Sequence, residues 1–344
     1  MPDVLSSQLR LTLAQYADAR KRGADIGPFV SAFIDATQSQ APASIASVEG
    51  PVAAEAQLWS RVARPTLFER RILGRLDDLE VLDSVPGAVY LFLFHKSGYL
   101  RQAALERIAG PIPSAFLAAA LAWRRNDWVR EVRLSAEATL ARCLPLTSPA
   151  VLAPFYLETI RVRSTWQRWN DKAVLSLDQH LGRPDVAARI AKELTERVTG
   201  PLPTSARKLT RNEAIDAHLE TLARAAKAPG VRAVAVEVLA SGYAEWQDGF
   251  ESYWINKPMR ITGRRPVMSK RALTVAHDRV GALRLGLADR SADVRRSALR
   301  AIIAIGLADP LLAEMARPLI DDRSPSVRAK AAFIVEQATA SAGD

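Results

Sequence analysis

One short pattern recurs along this chain: an apolar residue followed by arginine, an alanine three residues later, and a further apolar residue four after that. It reads Leu100-Arg101…Ala104…Ile108, Val132-Arg133…Ala136…Leu140, Val231-Arg232…Ala235…Leu239, Val294-Arg295…Ala298…Ile302 and Val327-Arg328…Ala331…Val335. Apolar residues four apart share one face of a helix, and the Ala between them lets a second helix approach closely. The starting positions 100, 132, 231, 294 and 327 are separated by roughly one, three, two and one multiples of about 32–33 residues. A fixed period in that range is the signature of stacked helical pairs. The expected fold class is therefore all-α, a right-handed α-solenoid. Its expected organisation is a pair of N-terminal helices and a linker over residues 1–50, followed by the repeat array over 51–344.

Local signals place the helices within that frame. Residues 5–20 and 27–37 read as amphipathic helices separated by Gly23 and Gly27-Pro28. The small-residue stretch 38–50 reads as the linker, and further helices are expected at about 52–63 and 66–83. Asp and Ser ahead of Val294 and Val327 suit helix N-caps, and Pro325 suits a first turn. No strand-like alternation is evident at any point.

Several function classes are excluded by what the chain lacks. A single cysteine, Cys143, cannot form an intramolecular disulfide framework or a cysteine-rich zinc site, and its Ala/Leu-rich surroundings read as a buried structural position. His95, His180, His218 and His277 are scattered, and no cluster has metal-ligand spacing. Phosphate-loop, dinucleotide and serine-elbow motifs are missing, so neither metal nor cofactor is expected. The longest apolar run, residues 89–94, is too short to span a bilayer, and no signal peptide is evident at the start. The expectation is a soluble, cytoplasmic monomer with no membrane association.

The charge points to a class of partner. Lys and Arg number 47 against 37 Asp and Glu, a formal net charge of +10. This excess favours polyanionic partners, chiefly nucleic acid, with duplex DNA the expected one, and secondarily an acidic membrane or protein surface. The Arg of each repeat falls beside the apolar stripe, so stacked repeats align Arg101, Arg133, Arg232, Arg295 and Arg328 into a ladder. Each is a candidate either for contact with phosphate or for an ion pair inside the fold.

Two stretches break the repeat, and irregular repeats are where function is sought. In the first, Val162-Arg163 begins a repeat, but Trp166 stands where the others have Ala, with Trp169 and Asp171 close behind. The second is an insertion at 242–273 that doubles the spacing between Val231 and Val294. It gathers Trp246, Phe250, Tyr253 and Trp254, and then Lys257, Arg260, Arg264, Arg265, Lys270 and Arg271, in a chain only 6% aromatic. Aromatic rings stack on bases and cations neutralise phosphates, so the insertion is read as a nucleic-acid surface. The alternative is that it fills a gap beside the solenoid with its basic residues merely solvated.

The repeat resembles HEAT repeats, in which an Arg at this place often pairs with an Asp of the preceding turn. The segment Trp169-Asn170-Asp171-Lys172-Ala173-Val174…Leu181-Gly182 looks like the part of the HEAT-like alkylpurine DNA glycosylases that carries their Trp and catalytic Asp. That family spaces the two residues four apart. Here the residue four after Trp169 is Ala173, whereas Trp123 and Asp127 keep the spacing within a turn where Asp127 reads as an N-cap. The resemblance implies a DNA glycosylase excising an alkylated purine or a bulkier base of the kind found in some phage genomes, by hydrolysis of the N-glycosidic bond. Asp171 would then be the working carboxylate; Asp248, amid the aromatic cluster of the insertion, is the other candidate, with Trp166, Trp169, Trp246, Tyr253 and Trp254 bordering the base. Two non-enzymatic readings stand beside it: a scaffold for a protein partner, and a nucleic-acid-binding protein without catalysis.

Overall fold

The structure is a computed structural model that describes residues 4–59, 76–166, 168, 177–306 and 310–341. The described chain is mostly helical with one small antiparallel sheet, and it divides into two compact units, Met1–His180 and Leu181–Asp344. The first unit contains α1 (Ser7–Arg22), α2 (Gly27–Ala36), α3 (Ile45–Glu55), α4 (Asp78–Ser84), α5 (Ala88–Phe92), α6 (Gly98–Arg107), α7 (Ala115–Arg124), α8 (Arg130–Cys143) and α9 (Pro149–Val162). The second contains α10 (Pro184–Glu196), α11 (Leu202–Leu209), α12 (Leu219–Ala225) and α13 (Pro229–Ser241). Next come β1 (Tyr243–Asn256) and β2 (Ile261–Ala272), and then α14 (Arg279–Leu287), α15 (Ala292–Ile305), α16 (Pro310–Ala316) and α17 (Pro325–Ser341).

The recurring apolar residues form the seams between helices. In the first unit, α6, which carries the 100–108 pattern, packs on α8, which carries 132–140; in the second, α13 packs on α15 and α15 on α17. Leu100, Val132, Val231, Val294 and Val327 are all buried, as are the five repeat alanines. At the C-terminal repeat the structure corrects the expected register by one residue: Ile334 is buried and Val335 only half-buried.

The Arg of each recurring pattern donates through Nη1 to the carbonyl six residues before it. Arg101 donates through Nε and Nη2 to the two carboxylate oxygens of Asp127, at 2.8 and 2.7 Å, and through Nη1 to the carbonyls of His95 and Lys96. Arg232 does the same with Asp289 and with the carbonyls of Ala226 and Lys227. Arg295 repeats it with Asp322 and the Asp289 carbonyl. Arg133 and Arg328 keep the carbonyl half of the arrangement, donating to Asp127 and Trp128 and to Asp322 and Arg323. Each Asp also accepts from the backbone N–H two residues on: Val129, Ser291 and Ser324. A planar fork meeting a carboxylate on two parallel bonds fixes orientation as well as distance. Arg101, Arg232 and Arg295 each thus tie their own preceding turn, by the backbone, to the Asp of the turn that begins the helix next but one. This corrects the expectation that the carboxylate would come from the preceding turn.

Two further expectations are corrected. The stretch 38–50 is no linker. It forms short 3-10 turns and the start of α3, and Ile45, Val48 and Val52 point one apolar face inward and are fully buried. The insertion is not helical either: residues 243–272 form a β-hairpin, so strands do occur in a chain expected to have none. Cys143 is buried as expected, and burial raises its thiol pKa. Part of the helix expected at 66–83 lies outside the described residues.

Candidate nucleic-acid interface

The hairpin begins where Gly242 ends α13 in the left-handed conformation, φ 77°. A Cβ there would sit 2.9 Å from the His277 ring, so both the turn and the close approach require glycine. The Leu273 N–H donates to the Gly242 carbonyl at 3.0 Å and closes the base. From there β1 and β2 pair antiparallel, with irregularities between Gln247 and Gly249 and between Trp254 and Asn256. At the far end the Arg260 N–H donates to the Lys257 carbonyl at 3.2 Å, and the Asn256 Oδ1 accepts from the Met259 N–H at 3.0 Å. Pro258 therefore occupies the second place of a tight turn, where its fixed φ fits.

The base of this hairpin is fastened to the helices. Arg271 forks onto Asp216 at 2.6 and 2.8 Å and reaches the carbonyls of Thr210, Arg211 and Asn212. Thr274 donates to the same Asp216 carboxylate from both its N–H and its hydroxyl. Burial works to raise the Asp216 pKa, but the Arg271 and Thr274 hydrogen bonds outweigh it and hold the carboxyl below its ordinary value. Trp246 is half-buried with the Arg211 guanidinium 5.7 Å from its ring centre. The outer part of the hairpin has no such cover. Phe250, Trp254, Ile255 and Met259 are all exposed, Met259 by 70%. Tyr253 lies over Gly263, where a Cβ would fall 2.7 Å from its ring, and Arg265 caps that ring at 5.9 Å while pairing with Glu251.

Beside the hairpin base, α11, α13 and α15 border a cleft of about 550 Å³ lined by Arg207, Tyr243, Lys270, Arg279 and Arg300. An adjoining recess of about 370 Å³ shares Arg207 and Arg300 and adds Lys208. Arg207 is paired with Glu237 at 2.8 Å, and Lys270 stands 5.6 Å over the Tyr243 ring. Arg279 and Arg300 are exposed and form no ion pair among the described residues, and the same holds for Lys257, Arg260 and Arg264 on the hairpin. Unpaired guanidinium and ammonium groups thus extend from the cleft to the hairpin tip.

No family model, curated protein or solved structure matches this chain. The reading rests on the geometry alone.

That geometry sorts the residues singled out from the sequence. Lys257, Arg260, Arg264, Arg265, Lys270 and Arg271 share the hairpin, with Arg271 consumed in its anchor. Arg101, Arg163 and Arg232 are buried, Arg232 only 4% exposed, and they and Arg295 are ion-paired inside the fold; Arg163 pairs with Asp178 at 2.8 Å. Arg133 and Arg328 hold backbone carbonyls. Trp166 is 3% exposed and meets Trp123 edge to face at 5.2 Å, so it belongs to the interior. Trp169 and Asp171 lie outside the described residues. Asp248 is exposed at the hairpin irregularity, where it accepts from Arg211 at 2.8 Å and from the Ser269 hydroxyl at 2.9 Å.

Trp123 and Asp127, the pair at the glycosylase spacing, border a separate cleft of about 280 Å³ in the first unit. There the Trp123 indole N–H and Arg124 both donate to Glu49, while both Asp127 oxygens are taken by Arg101, Arg124 and the Val129 N–H. Among the described residues no group of three or more His, Cys, Asp or Glu side chains is placed to hold a metal ion, and no helix is long and apolar enough to cross a membrane. The residues missed from the sequence are Arg279 and Arg300, with Lys208 beside them. A signal for one of these was present: Arg300 follows Arg295 by five residues and so falls on another face of the same helix.

Proposed function

We propose that this chain is a duplex-DNA-binding protein built of HEAT-like helical repeats, and that its second unit grips DNA with the hairpin and the cleft at the hairpin's base. The repeats are supported by the common Arg geometry at five places in the chain. One observation carries the binding reading. Arg101, Arg232 and Arg295 are forked onto carboxylates inside the fold, whereas Lys257, Arg260, Arg264, Lys270, Arg279 and Arg300 gather at the hairpin and its cleft and face solvent with no carboxylate partner among the described residues. Cations left solvated beside exposed aromatic rings suit phosphate and base contact. The test is charge reversal at Arg264, Lys270 and Arg300 together. Binding to duplexes of unrelated sequence should weaken by at least about a hundredfold, in line with three lost phosphate contacts, with the melting temperature unchanged. Unaltered affinity in that variant contradicts the proposed interface.

Excision of a modified base is the enzymatic form of this reading. A carboxylate suits the steadying of positive charge on a sugar as its base departs. Asp171 and Asp248 remain the carboxylates proposed from sequence. Duplexes carrying alkylated or bulky bases should acquire alkali-labile sites on incubation, and Asp171→Asn or Asp248→Asn should abolish them while leaving affinity intact. Release by neither wild type nor variant removes the enzymatic form and leaves the binding protein.

A further inference from the structure

We propose that the hairpin tip is a wedge that enters the base stack of duplex DNA and kinks it. This rests on the DNA-binding reading and adds a mechanical consequence to it. Four observations on the second unit converge.

The first is apolar exposure where none is needed for folding. Ile255, Met259 and Ile261 are 61%, 70% and 46% exposed, and Trp254 beside them is 54% exposed. Such a patch on a protruding element marks a surface that becomes covered by a partner. The second is that the apex is preformed. Lys257–Arg260 is closed by its backbone bond and by the Asn256 side chain, Pro258 fixes one dihedral, and Arg260 is held at φ 55°. A tip already ordered loses little freedom on insertion. Third, the arm has the reach to enter a groove of the duplex. Strands of 14 and 12 residues reach roughly 40 Å.

The fourth observation identifies the occupant. A second copy pairing along the open strand edges would bring together two ribbons that each carry Lys257, Arg260, Arg264, Arg265, Lys270 and Arg271 against Glu245, Asp248 and Glu251. Like charge opposes that. An anionic membrane would need cations collared around the tip alone. Here Arg264 and Lys270 continue down β2, and Arg279 and Arg300 carry the charge on into the cleft at its base. Cations spread along an extended path match a polyanion of the same form. Apolar side chains at the end of such an arm insert between base steps, partly unstack them and bend the duplex, most easily at pyrimidine–purine steps.

The experiment uses the full chain and a duplex of about 30 base pairs, a length suited to reading end-to-end bending, with a fluorescent donor and acceptor at its ends. The variants are Ile255→Ser/Met259→Ser, which removes two exposed apolar groups, and Met259→Ala as a milder version; neither touches the core or a cation. The wild type should bind and raise energy transfer between the ends. Both variants should bind within about threefold of wild type, because the phosphate contacts remain, while transfer falls back toward that of the free duplex, further in the double variant. Wild-type binding without a rise in transfer, or variants that bend as well as wild type, overturns the wedge and leaves DNA binding in place. If the wild type fails to bind duplex but binds vesicles of anionic lipid through Ile255 and Met259, both the wedge and the DNA-binding reading fall.

Discussion

Arg232 and Arg300 are the same residue type 68 residues apart, and their surroundings give them opposite work. Arg232 is sunk between α13 and the turn before α15, with every donor group near an Asp289 oxygen or a backbone carbonyl. Burial works to raise the Asp289 pKa, but the Arg232 hydrogen bonds and the Ser291 N–H prevail and hold it below the ordinary carboxylate value. Asp322 is held low chiefly by the Arg295 hydrogen bonds. Removing one partner of a buried pair leaves the other charge uncompensated, at a cost of about 3–5 kcal/mol. Arg232→Ala should therefore lower the melting temperature markedly. Arg300→Ala should stay within about 0.5 kcal/mol of wild type, as exposed sites do, and weaken DNA binding instead. Thermal denaturation of the two proteins decides this, and equal losses would contradict the division of labour. The pH dependence follows from the same pair. Because the folded Asp289 titrates below its unfolded value, the stability it contributes is full above about pH 4 and is lost as the pH falls further; Arg232→Ala should flatten that acid limb. Sequence alone left each ladder Arg between ion pair and phosphate contact. Position on the helix was legible, but the partner was not, because Asp289 is separated from Arg232 by the whole hairpin.

At the scale of elements, the helices were readable and the hairpin was not, for a physical reason. Helices such as α15 bury one stripe and expose the rest, so Val294, Ala298 and Ile302 stand out at helical spacing. A strand is recognised by alternation only when one of its faces meets a core. Most of this ribbon meets none, and both faces carry a mixture of aromatic and charged residues. The register irregularities after Gln247 and Trp254 break whatever period remained. What the sequence did carry was composition: aromatics followed by cations, now found on one exposed element. The misread linker at 38–50 is the reverse case. Its small polar residues hid the spacing of Ile45, Val48 and Val52, which a helical count would have exposed. Trp246 and Asp248 were proposed from the same cluster as Trp254, but they stand at the fastened base, whereas Trp254 stands on the free arm.

For the whole molecule, the net charge of +10 was the earliest indication of a polyanionic partner, and it is a property of the sum, blind to which cations are already spent. Three of the ladder arginines, Arg101, Arg232 and Arg295, are taken up by Asp127, Asp289 and Asp322. Six cations with no carboxylate partner among the described residues, Lys257, Arg260, Arg264, Lys270, Arg279 and Arg300, gather on the hairpin and in the cleft at its base. The most direct measurement of the account's central claim is the salt dependence of duplex binding by the wild-type chain, taken beside the Arg264/Lys270/Arg300 charge-reversal variant. Six phosphate contacts imply a log–log slope of about −5, so affinity should fall roughly a thousandfold between about 50 and 200 mM salt, and the variant's slope should be shallower by about 3. An affinity indifferent to salt, or equal slopes for the two proteins, would contradict the claim that these cations hold DNA.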